Sequence, residues 1–130
     1  MLTIMAQTAQ LYYGTVHVGE IKDPIYRDGT WTGLWIEMIN RDYGLLEDRL
    51  LDFIEFCHVW DQRQLDPTPP GESEFDQFED LLSSNLWQVA ANQGHRFQIV
   101  EAPMFIAGGG ISWSLSNEFD SSQLMRDLAR

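Results

Sequence analysis

The sequence predicts an α+β fold: an antiparallel sheet of about five strands, in the order β-β-α-α-β-β-β, with helices packed on one face. Three observations carry this. Residues 45–60 repeat apolar side chains at the helical period. The stretches before residue 40 and after residue 86 alternate at period two. Short turns join the strand-like stretches, which implies antiparallel pairing.

Residues 1–10 read as a loosely held arm. Leu11 to Ile21 is rich in Tyr, Val and Thr and reads as a strand. Ile21 falls out of phase after Gly19, which suggests a bulge there. Pro24 interrupts the first arm of the hairpin that turns at Asp28-Gly29, so that arm is expected at a sheet edge or to end early. Asp28-Gly29 is a two-residue hairpin signal. Trp31 to Met38 is the return strand. Leu34, Ile36 and Met38 face one way, and Trp31, Gly33, Trp35 and Glu37 face the other.

Asn40 or Asp42 is the candidate N-cap of the main helix, Leu45 to Trp60. Leu46, Leu50, Phe53, Ile54, Cys57 and Trp60 form its apolar stripe, while Glu47, Asp48, Asp52 and Glu55 mark a solvated face. Four breakers, Pro67, Pro69, Pro70 and Gly71, make residues 64–72 an exposed loop. A shorter helix starts at Ser73, with Phe75, Phe78 and Leu82 as its stripe. Trp87, Val89 and Ala91 alternate, and Asn92-Gln93-Gly94 is a turn. Phe97 and Ile99 alternate next, until Pro103. Gly108-Gly109-Gly110 is a turn permissive of positive φ. Ile111, Trp113 and Leu115 then alternate with serines. Leu124 and Leu128 suggest a C-terminal helix.

At 130 residues, the chain reads as a single domain, 1–130, large enough to bury a core without staples. One cysteine excludes an internal disulfide. With no basic, apolar leader at the N-terminus, this points to a reducing, cytoplasmic setting. Apolar runs are too short to span a membrane. A net charge of −12 argues against nucleic acid and anionic membrane surfaces as partners. The charge is concentrated: Glu47 to Asp80 holds eleven acidic residues against Arg49 and Arg63.

No motif fixes a chemistry. His17, Cys57, His58 and His95 lack metal-ligand spacing, so no metal site and no cofactor are expected. Cys57 and His58 are adjacent, so on a helix their side chains diverge by about 100°. There is no nucleophile elbow, and the glycine cluster lacks the Lys-Ser/Thr of a phosphate loop. No catalytic residue is assigned. Glu37 and Glu101 lie in strand-like runs, and both are expected to face water. The candidate binding residues are Trp31 and Trp35, as an exposed aromatic platform, and Glu47, Asp48, Asp52 and Glu55, as an acidic surface. The alternative for the tryptophans is that the sheet is covered on both faces, or that their face is itself the core face. These features suggest a noncatalytic acidic interaction module, an inhibitor or immunity-type antagonist of a basic protein partner. The alternative is a small-molecule binder or enzyme with a pocket between sheet and main helix. A homodimer through a strand edge or the Trp face is a third reading.

Overall fold

The computed structural model describes residues 7–92 and 94–130. Among them, seven strands form one antiparallel sheet: β1 (Thr8–Tyr13), β2 (Val16–Arg27), β3 (Thr30–Glu37), β4 (Trp87–Ala91), β5 (Phe97–Gln98), β6 (Met104–Ile106) and β7 (Gly110–Trp113). Their spatial order is β5-β4-β1-β2-β3-β7-β6. Helix α1 (Leu45–Arg63), a 3-10 segment (Glu72–Phe78) and α2 (Glu79–Leu82) connect β3 to β4, and α3 (Glu118–Leu128) follows β7.

The mixed composition and antiparallel pairing agree with expectation; the strand number and order do not. Leu11 to Ile21 is not one strand. Gly14, at φ +57, turns the chain, and its N–H donates to Leu86 O. The run therefore splits into β1 and β2, whose pairing continues back to Thr8, inside the stretch expected to be an arm. Residues 1–6 of that arm lie outside the described residues. Between residues 95 and 107 two short strands, β5 and β6, stand where one was expected.

Pro24 is a second correction. It lies in an interior strand, between β1 and β3, where the β2–β3 register shifts between Lys22 and Ile25. The shift spares the ladder the missing N–H of proline, and Asp23 takes φ +53 to make the bend. The bulge expected at Gly19 falls beside it: Leu11 pairs with Gly19 and Tyr12 with His17, leaving Val18 as the extra residue. The Asp28-Gly29 hairpin stands as read. Both residues have positive φ, 52 and 85, which matches the twist of the flanking strands.

The core lies on one face of the sheet. Ala9, Leu11, Val18, Ile21, Trp31, Trp87, Val89, Ile111 and Trp113 are buried there against Leu50, Phe53, Ile54 and Cys57 of α1 and Leu124 of α3. Phe53 sits at the centre, with its ring 5.3 Å from Phe78, 5.8 Å from Trp87 and 6.2 Å from Phe105. The helix runs three residues beyond Trp60, and its buried arc is centred on Leu50 to Cys57. Leu46, expected in the stripe, is exposed because it precedes the region where α1 meets the sheet. Gly44 is the N-cap in place of Asn40 or Asp42, while the Asp42 N–H donates to the Asp48 carboxylate at 2.7 Å.

Candidate interaction surface

Trp31 and Trp35 do not form an exposed platform. Both lie on the core face of β3. Trp31 is 1% exposed, and its ring stacks on Trp113 at 5.8 Å. Trp35 packs edge-on against Phe105 at 5.0 Å. The physical reason is area. Two tryptophans remove more apolar surface from water than Leu34 and Ile36 would in their place. Gly33 between them leaves room for Ile21, whose Cγ2 occupies the space a Cβ would need.

The consequence is that the opposite side chains of β3 face out. Leu34, Ile36 and Met38 are 57%, 38% and 49% exposed, and Ile25 of β2 is 55% exposed. Sequence reasoning weighed the two faces of β3 and missed this surface. The signal against it was Thr30 and Thr32, which share the face of Leu34 and Ile36 and mark it as the wetter one.

The other half of this open face, toward β1 and β4, is polar. Asn92 Oδ1 accepts from Gln10 Nε2 at 2.7 Å, and Gln10 Oε1 lies 2.6 Å from His17 Nε2. Tyr12 lies beside the His17 ring at 5.2 Å, and the Arg96 guanidinium sits 3.7 Å above the Tyr12 ring. His17 also lines an open cleft of about 370 Å³ with Val16, Met38, Ile39, Tyr43 and Glu47. Glu37 and Glu101 are exposed, and neither lines that cleft.

The acidic residues occupy the helical side of the molecule. Asp52 and Glu55 are exposed on the outer face of α1, whereas Glu47 and Asp48 are half-buried in its first turn, where negative charge is favoured by the helix dipole. Among the described residues, three ion pairs stitch this layer together: Arg41–Asp52 and Arg49–Asp80, both 2.7 Å, and Arg63–Glu74, 3.0 Å. Arg49 also donates to Gln77 O at 2.6 Å and lies 4.4 Å over the Phe78 ring. Its hydrogen bonds hold the Asp80 carboxyl below the usual carboxylate range. Glu55, Glu72, Asp76 and Glu79 remain exposed, and none of them takes part in these pairs.

Cys57 is buried in the core, and desolvation pushes its thiol up to about 12. A thiol so placed is neither a nucleophile nor a ready ligand. The neighbouring His58 holds its Nε2 buried, with no hydrogen-bond partner among the described residues. Those residues contain no group of three or more His, Cys, Asp or Glu side chains placed to hold a metal ion. Among the described residues, no helix is long and apolar enough to cross a membrane.

Comparison with known proteins returns no matching family model, no matching curated protein and no matching solved structure.

Proposed function

We propose that the protein is a noncatalytic interaction module that presents its acidic helical layer to a basic protein partner, in the manner of an inhibitor or immunity-type antagonist. One observation carries this reading. The arginines of the layer are tied down in Arg41–Asp52, Arg49–Asp80 and Arg63–Glu74, while Glu55, Glu72, Asp76 and Glu79 project into solvent. The residue range 47–80 carries −9, and the ion pairs join α1 to the segment before it and to the helical segments that follow. Charge of one sign on a preorganised surface accelerates encounter with an oppositely charged partner.

The test is copurification from native cells with tagged wild-type chain and with the Asp52→Lys/Glu55→Lys double variant. A basic protein should copurify with the wild type at low salt and be lost at high salt and with the double variant. Copurification that is indifferent to both changes, or confined to acidic proteins, would sink the proposal.

A second reading, small-molecule binding, is favoured by the cleft at His17, where the Gln10 side chain lies within hydrogen-bond distance of the imidazole. Its test is the NMR signal of the His17 ring during titration with small-molecule libraries. Ligand-dependent shifts that vanish in a cleft variant such as Met38→Trp would support it. A ring signal that responds to nothing would remove it.

A further inference from the structure

The open face of the sheet is the largest feature that the acidic-layer reading leaves unused. It is apolar at one end, with Ile25, Leu34, Ile36 and Met38 exposed and Met104 and Ile106 half-buried. Its charges balance. Lys22 and Arg27 on β2 and Arg96 over Tyr12 stand against Glu20, with Asp23 and Asp28 at the irregularity and turn of the β2–β3 hairpin. This near-neutral surface sits on a chain of net charge −12.

We infer that this face is covered by a second copy of the chain, packed face to face so that two sheets lie between two helical layers. Three observations select this occupant.

The first is electrostatic. Two copies meeting through their helical layers would oppose two acidic surfaces, whereas meeting through the open faces opposes two balanced surfaces and places the acidic layers on the outside, as far apart as the assembly allows. A basic partner gains nothing from a face without net negative charge.

The second is registry. Lys22 pairs laterally with Leu34, and Glu20 pairs laterally with Ile36, one two-residue step along the strands. A two-fold axis running across the strands between these two rows places Lys22 of one copy over Glu20 of the other, twice, and Leu34 over Ile36, twice. About such an axis these two rows are complementary to themselves, as an isologous interface requires.

The third is size. Seven strands about 4.8 Å apart, with about six residues each at roughly 3.4 Å, give a footprint of roughly 600 Å² before corrugation. That approaches the roughly 800 Å² of accessible surface per partner typical of stable interfaces. The sheet edges offer less: β5 and β6 are two and three residues long, too short to template a paired strand.

The dimer is independent of the acidic-layer reading, since the two surfaces lie on opposite sides of the sheet. Sedimentation of the 130-residue chain over a range of concentrations tests it. Wild type should sediment as a dimer. Leu34→Asp should sediment as a monomer with an unchanged circular dichroism spectrum, Leu34 being exposed in the single chain. Lys22→Glu should raise the dissociation constant by roughly tenfold or more, and the exchanged pair Lys22→Glu/Glu20→Lys should restore it. The exchange result decides the matter even if Leu34→Asp fails to fold. Wild type that stays monomeric at high concentration, a folded Leu34→Asp that remains dimeric, or an exchanged pair no better than Lys22→Glu would each overturn the inference.

Discussion

The indole N–H of Trp31 donates to the hydroxyl of Ser121 at 3.1 Å inside the core, joining β3 to α3 across 90 residues of sequence. Ser121 is one of the few buried polar side chains, and this bond accounts for its place there. Ser121→Ala leaves a buried donor unpaired, so a loss of about 1–3 kcal/mol is expected in urea unfolding. An unchanged midpoint would mean that water reaches the indole nitrogen.

Phe53 touches rings from three separate parts of the chain, Phe78, Trp87 and Phe105. Phe53→Ala should therefore cost about 3–5 kcal/mol. A variant that melts with the wild type would remove Phe53 from the centre of the core.

Two glycines should respond to alanine for different reasons. At Gly19 an added Cβ runs into the Ile36 carbonyl oxygen and the Trp35 ring, neither of which can swing away. Overpacking of this kind costs about 1–3 kcal/mol or more. At Gly29 nothing lies within 4 Å, but φ is +85, so the cost is backbone strain alone, about 1 kcal/mol. Chemical denaturation of the two variants should rank Gly19→Ala as the more damaging, and the reverse order would contradict the close approach of β2 and β3.

The Cys57 thiol, pushed up to about 12 by burial, should resist a thiol reagent in the native protein at pH 8 and react promptly once the chain is unfolded. Linkage gives a second readout. Above the ordinary thiol value of 9.0 the unfolded chain releases a proton that the folded chain retains. This contribution to stability is intact below pH 9 and is lost as pH rises from 9.0 toward about 12. Cys57→Ala should flatten that part of the stability profile, and an unchanged slope would assign it to other groups.

What the sequence made legible followed from local rules. The middle of the α1 stripe, Leu50 to Cys57, the Asp28-Gly29 turn and the Trp87/Val89/Ala91 alternation each depend on neighbours in the chain, and the structure holds all three, while Leu46 and Trp60 at the ends of the stripe are not fully buried. The Gly14-Thr15 turn was hidden inside a continuous β-rich run without an Asn-Gly or Asp-Gly pair to mark it. The two faces of β3 could not be ranked by alternation, because both carry large apolar groups. Only the packing of Trp31 on Trp113 and Trp35 on Phe105 decides which one is inside. That choice moved the exposed apolar surface to Leu34, Ile36 and Met38. Of the four helix carboxylates, Asp52 and Glu55 point outward while Glu47 and Asp48 stay in the first turn, a difference set by how α1 sits on the sheet. Its ion pairs with Arg41, Asp80 and Glu74 join residues up to 31 apart, beyond any spacing rule.

The acidic helical layer is the central claim, and the rate of association with the copurified basic protein tests it most directly. The rate should fall steeply between low and high salt and should fall again in Asp52→Lys/Glu55→Lys at low salt. A rate equal at both salt concentrations and unaffected by the double variant would contradict the claim.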